Sequence, residues 1–154
     1  MRLSAVLALI VISAVGRSVP AQAVKVGDQP ALAPVAANTA CKESAPNDAL
    51  RRTGIASGLM VQDADRMISL WLSANGKPMN LHAMIGKAAG PRRRESESVA
   101  VAFDANGKVV RGDRTAFSSG VPAKLSDDRR AGLLPTDTAA AIALVRSILA
   151  RCHR

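Results

Sequence analysis

Tyrosine is absent from this 154-residue chain, and Trp71, Phe103 and Phe117 are its whole aromatic supply. Its core must therefore be assembled from Ala, Val, Leu, Ile and Met, which bury less area apiece. So few rings also make it a poor candidate for stacking on bases or sugars. Two cysteines and two histidines, widely spaced, fall short of a metal site. There is no Walker loop, no dinucleotide fingerprint and no G-x-S-x-G elbow, so none of those chemistries is indicated and no cofactor is expected. No apolar run reaches the ~20 residues that span a bilayer.

What is present is organised around a repeated phrase, Ser73-Ala74-Asn75-Gly76-Lys77 and Asp104-Ala105-Asn106-Gly107-Lys108. Asn-Gly between apolar segments is a strong local signal for a two-residue hairpin turn, because a type I′ turn needs positive φ at both central residues. With Asn75-Gly76 as the turn, Leu72 faces Met79, Leu70 faces Leu81 and Ile68 faces Ala83, all on one face. The other face pairs Ser73 with Pro78, Trp71 with Asn80, Ser69 with His82 and Met67 with Met84. In the second hairpin Phe103 faces Val110, Val101 faces Gly112 and Val99 faces Arg114. A one-residue slip would scatter the apolar set, so pattern and turn chemistry agree.

The chain ends in an amphipathic helix. Thr136 is its expected cap, and Asp137 complements the positive end of the dipole. Ile142, Val145, Leu149 and Cys152 form an apolar stripe with Ile148 beside it. The fold class is therefore α+β: two Asn-Gly hairpins forming a small antiparallel sheet, packed by a C-terminal helix. Ile68, Leu70, Leu72, Leu81, Val99, Val101, Phe103 and Val110 are expected to face that helix.

The N-terminus has the layout of a secretory signal peptide over residues 1–23. Arg2 leads, Leu3 to Val15 is almost wholly apolar, and Ala21-Gln22-Ala23 is a small-x-small cleavage site. Cleavage there removes two of the 21 basic residues and none of the 12 acidic ones, so the formal charge falls from +9 to +7. No transmembrane anchor is expected after cleavage, and the destination is the periplasm or the exterior. Residues 24–45, rich in Ala with Pro30 and Pro34, read as a flexible leader. Residues 46–154 read as the single domain. It opens on a short helix capped by Asn47 and stopped at Gly54. Ile55 to Val61 reads as either strand or turn.

Cys41 and Cys152 stand near the two ends of the mature chain. In an oxidising compartment an even count favours pairing, and chain ends often lie close together, so a Cys41–Cys152 disulfide is expected. Two free buried thiols or a metal pair are the rival readings.

Two polar features remain. Ser69 opposite His82 offers a nucleophile and a base, or simply a hydroxyl and an imidazole on the solvent side of a sheet. Arg92-Arg93-Arg94 lies in a stretch from Gly86 to Ser98 that Gly, Pro and charge mark as an exposed loop. Adjacent arginines clamp phosphates or carboxylates, so this knot suits an acidic protein or an anionic envelope component. Without interleaved aromatics it is a weak nucleic-acid site, and no nucleic acid is expected. Asp104-Ala105-Asn106-Gly107 opens like a calcium loop but lacks the later acidic ligand.

Leu70 to Lys77 and Val101 to Lys108, with Ser118-Ser119-Gly120 following, resemble the strand-turn-strand of TonB/TolA-type C-terminal domains. That resemblance implies an envelope interaction module. The residues themselves support a small exported non-catalytic binding protein. The alternative is a hydrolase whose site is assembled from loops.

Overall fold

Alternation of apolar and polar residues along successive segments builds a single antiparallel meander. The computed structural model describes residues 30–63, 65–90, 93–118, 121–122 and 132–152. The expected signal peptide, Arg92 and most of 119–131 lie outside them. The strands are β1 (Cys41–Ser44), β2 (Ile55–Asp63), β3 (Arg66–Ser73), β4 (Pro78–Gly90), β5 (Arg93–Phe103), β6 (Val109–Ser118) and β7 (Val121–Pro122). They lie side by side in chain order, seven among the described residues. The α+β class holds, but the sheet is larger than the small one expected from two hairpins.

Helix α1 (Asp48–Arg52) follows β1, with the Asn47 side chain accepting from the Leu50 N–H at its start. Helix α2 (Pro135–Cys152) crosses one face of the sheet. Against it lie Ile68, Leu70, Leu72, Leu81, Ala83, Val99, Val101 and Phe103, joined in one buried cluster with Ala140, Ala141, Leu144, Val145 and Ile148. The buried stripe of α2 is therefore centred one side of the expected one. Ile142, Leu149 and Cys152 are only partly buried. The centre falls on Ala140 and Ala141, whose small side chains let the helix approach the sheet closely and carry little weight in a periodicity read from large residues. Thr136 is not the cap. Leu134 precedes the helix, and Asp137 reaches back to accept its N–H at 3.0 Å, the return half of a capping box.

The repeated phrase forms both equivalent connections, with one correction to register. Each loop has three residues rather than two. Gly76 N–H bonds Ser73 C=O and Ser73 N–H bonds Lys77 C=O, while Gly76 has φ +72. Asp104, Gly107 (φ +78) and Lys108 repeat this pattern. A glycine in the left-handed region after a β-turn is the three-residue solution to hairpin closure. The phase is restored by one extra residue in the returning strand. Leu72 pairs with Pro78 and Trp71 with Asn80; Phe103 pairs with Val109 and Ala102 with Arg111. Beyond these irregularities the expected pairs hold: Leu70 with Leu81, Ile68 with Ala83, Val101 with Gly112. Val110 is the casualty. Expected in the core, it is 61% exposed, because the extra residue turns it to the other face.

Asp104 strengthens the second loop beyond what Ser73 does for the first. Its Oδ1 accepts the N–H groups of Asn106 (2.8 Å) and Lys108 (2.9 Å). The Lys108 bond is the main reason the carboxyl sits below its ordinary value of 3.8. A lowered folded-state value contributes stability that is present above the ordinary carboxylate range and lost as pH falls through the lowered value. Amide exchange at Lys108 is therefore expected to accelerate on acidification in that window. An Asp104→Asn variant should show no such acceleration.

Two further expectations are corrected. Residues 30–44 are not a flexible leader. Pro30–Leu32 is a 3-10 turn with Leu32 fully buried, and Cys41–Ser44 is the first strand. This segment reads as unstructured because its turns are held by distant partners. Arg66, buried at the start of β3, donates to the carbonyls of Pro30, Ala31, Ala33 and Pro34 while its Nε donates to Asp63 at 2.9 Å. Ser147 accepts the Val35 N–H, and Arg151 Nε donates to Thr39 C=O at 3.0 Å. The Gly86–Ser98 stretch is not an irregular loop either. β4 continues to Gly90 and β5 starts at Arg93, pairing Lys87 with Glu95 and Ile85 with Glu97. Backbone pairing with the facing strand overrides the breaker residues. Ile55 to Val61 resolves as strand, packed between neighbours on both sides.

The predicted cysteine pair is joined: Cys41 and Cys152 form a disulfide with Cα atoms 5.7 Å apart. It ties the first strand to the last turn of α2. The other end of α2 is held by Arg114, which contacts Asp137 Oδ1 at 3.1 Å and Glu97 Oε1 at 2.7 Å. Among the described residues no helix is long and apolar enough to cross a membrane.

Candidate functional site

Because α2 covers only one face, the opposite face of β3–β6 shows its alternate residues to solvent. Register arranges them in rows across the sheet. One row runs Trp71, Asn80, Ala102, Arg111; the next runs Ser69, His82, Ala100, Asp113. The two alanines make a low floor between taller neighbours. Leu50 from α1 closes the Trp71 side. The result is a concavity of about 480 Å³ lined by Leu50, Trp71, Asn80, His82, Arg111 and Asp113 along with that floor. This volume is in the range of about 300–1,000 Å³ usual for small-molecule sites.

Trp71 owes its position to Gly58 on β2. A Cβ at Gly58 would lie 2.5 Å from Cζ3 of the indole, so the ring rests where any other residue would displace it. The two Asn-Gly loops meet at the rim near this row, where Lys77 Nζ donates to Ala105 C=O at 2.8 Å. Asn80 and His82 stand on β4, Arg111 and Asp113 on β6. Rigid paired strands hold all four, the placement that keeps a site's geometry fixed.

The Ser–His pairing differs from the expected one. Ser69 and His82 are register partners, but the imidazole Nε2 bonds Ser98 Oγ of β5 at 2.7 Å. Ser98 is a diagonal neighbour, two residues from Ala100, the register partner of His82 on β5. A hydroxyl on an imidazole is half of a nucleophilic arrangement. The other half needs an orienting acid and oxyanion donors. Among the described residues no carboxylate hydrogen-bonds His82, and both partners sit on an open strand surface. This geometry positions a polar contact better than it performs acyl transfer.

Arg93 and Arg94 open β5 at the far end of the long β4–β5 hairpin, away from the groove; Arg92 is outside the described residues. The structure thus separates the two polar features of the sequence. Among the described residues, no three His, Cys, Asp or Glu side chains gather as a metal site. A second concavity of about 520 Å³ runs along β1–β3 past Lys42, Ser44, Met60, Gln62 and Met67. It contains no aromatic ring.

Alternation in the first hairpin puts Trp71, Asn80, Ser69 and His82 together on a mixed face, and Arg111 and Asp113 join them only in the folded sheet. The signal was present in the second hairpin's alternation. What was missing was the β4–β5 pairing that brings both hairpins into one sheet. Among the described residues, fold and site together define an α+β protein with one helix across one sheet face and a groove on the other. No protein-family model, curated protein or solved structure matches the chain.

Proposed function

We propose that this is an exported, disulfide-stapled binding protein of the cell envelope that engages its ligand on the face of the sheet opposite α2. One observation carries the reading: a single concavity is lined by the chain's sole tryptophan, seated on Gly58, and by Asn80, His82, Arg111 and Asp113 around an alanine floor. Convergent polar groups around an apolar concavity are the usual signature of a ligand site. A binding role also fits a Ser–His contact that lacks the rest of a catalytic set. Export is supported by the N-terminal layout and by the disulfide, which suits an oxidising compartment. The Arg92-Arg93-Arg94 run supplies electrostatic attraction toward an acidic protein or anionic envelope component, an attraction that salt weakens.

Because Trp71 is the sole tryptophan, 5-fluorotryptophan labelling gives one ¹⁹F resonance at the groove. Detergent-solubilised envelope extract is expected to shift or broaden it saturably, with bovine serum albumin as the inert control. An unchanged resonance would remove the groove as a binding site. For export, the intact mass of material from the envelope fraction should correspond to a chain starting at Val24. A mass that includes Met1 to Ala23 would contradict cleavage.

A further inference from the structure

We propose that the groove binds a saccharide, seating a pyranose ring that presents a vicinal diol. The inference rests on the binding reading above and names the ligand's chemistry. Four features of the site point to it.

The first is the pairing of one aromatic wall with a flat floor. An indole accepts the C–H face of a sugar, which is apolar and polarised toward the ring's negative face. Ala100 and Ala102 form a low strip on β5 between Asn80 and His82 on one side and Arg111 and Asp113 on the other, with Trp71 on the strand beyond Asn80. The shortage of aromatics argues against a row of stacked sugars, yet a single ring needs a single platform.

The second is the shape of the polar side chains. Asn80, Arg111 and Asp113 all end in planar groups with two polar atoms side by side. Such groups hydrogen-bond two adjacent hydroxyls at once, as they do a carboxylate or an amide edge. Donors and acceptors are mixed: the guanidinium only donates, the carboxylate only accepts, and the amide does both. A hydroxyl also does both, so a diol matches a mixed set that a pure anion or cation would not.

Charge is the third. Arg111 and Asp113 are two apart on β6 and face the same side, so the groove's own formal charges cancel. A neutral ligand has no charge to desolvate on entering. The fourth is exposure: Arg111 and Asp113 stand at the open rim, where a polymer chain passes without having to enter an enclosed pocket.

The test uses the oxidised protein labelled at Trp71 with 5-fluorotryptophan. The probes are three preparations of envelope material: a proteinase-digested, heat-inactivated glycan fraction, the same fraction after periodate oxidation, and the detergent-solubilised envelope protein fraction. Periodate cleaves vicinal diols and leaves peptide bonds intact. The glycan fraction is expected to shift the ¹⁹F resonance saturably, and periodate treatment should abolish the shift. Asn80→Ala and Asp113→Ala should each raise the half-saturating glycan concentration at least ten-fold, with unchanged far-UV circular dichroism. A shift that survives periodate, or one produced by the protein fraction alone, overturns the saccharide assignment and leaves the groove as a binding site for a different ligand. No shift with any of the three preparations overturns both.

Discussion

Reducing the Cys41–Cys152 bond is expected to lower the midpoint of thermal unfolding by roughly 10–20 °C. The bond links residues 111 apart in sequence, and closing a loop of about 100 residues removes ~4.7 kcal/mol of freedom from the unfolded chain in the entropy model. Two features of the fold bear on that effect. The cross-link holds β1, an edge strand paired on one side only, to the end of α2. Beside it, Arg151 donates to Thr39 C=O, so a second tie already restrains the same approach. Reduction should therefore loosen β1 and the 35–41 segment before it unfolds the sheet. Calorimetry with and without reductant gives the global effect, and amide exchange gives the order. Equal midpoints in both redox states would contradict the entropy argument. A Cys41→Ser, Cys152→Ser double variant separates loss of the bond from the chemistry of the reductant.

Leu70→Ala is the second large effect, with an expected cost of about 2–5 kcal/mol as a core truncation. Leu70 is fully buried at the centre of the sheet, opposite Leu81 on β4 and Leu59 on β2. Its neighbours across the interface, Leu144 and Ile148 of α2, are equally buried. Among the described residues of the buried cluster only Phe103 carries a ring. Relaxation must come from small aliphatic groups, so much of the cavity should persist. Denaturant unfolding measures the loss. Met67→Ala on the same strand is a fitting control, because Met67 is 46% exposed on the other face and should cost far less. A Leu70→Ala cost below about 0.5 kcal/mol would place Leu70 at the surface and contradict the register.

The two effects illustrate different kinds of legibility. Leu70 was readable because a period of two, a turn signal and burial all agree along one short stretch. Val110 was misread because the phase of a returning strand depends on whether the loop closes over two or three residues, and Asn-Gly is compatible with both. The Gly86–Ser98 stretch was misread because glycine, proline and charge are local signals. Pairing with the facing strand is a contribution that no local signal carries. Pro30–Leu32 lacks any period at all. Its place in the core is decided by Arg66, some thirty residues away, which satisfies carbonyls that a buried turn would otherwise leave unpaired.

By itself, the sequence determined the α+β class, the inward-facing residues of the two hairpins apart from Val110, the α1 cap at Asn47, the amphipathic C-terminal helix and the cysteine pair. These follow from short-range regularities: alternation, turn chemistry, capping, and the tendency of chain ends to meet. Tertiary structure alone decided the rest. It merged two hairpins and their flanking strands into one seven-stranded sheet. It moved the His82 hydrogen bond from Ser69 to Ser98. It set Trp71 on Gly58 and carried Arg111 and Asp113 across two strands to face His82 and Asn80. The physical reason is the same in each case. A sheet surface is composed of residues that are neighbours across strands, and cross-strand neighbours are fixed by pairing partners and bulges rather than by the spacing of residues along the chain.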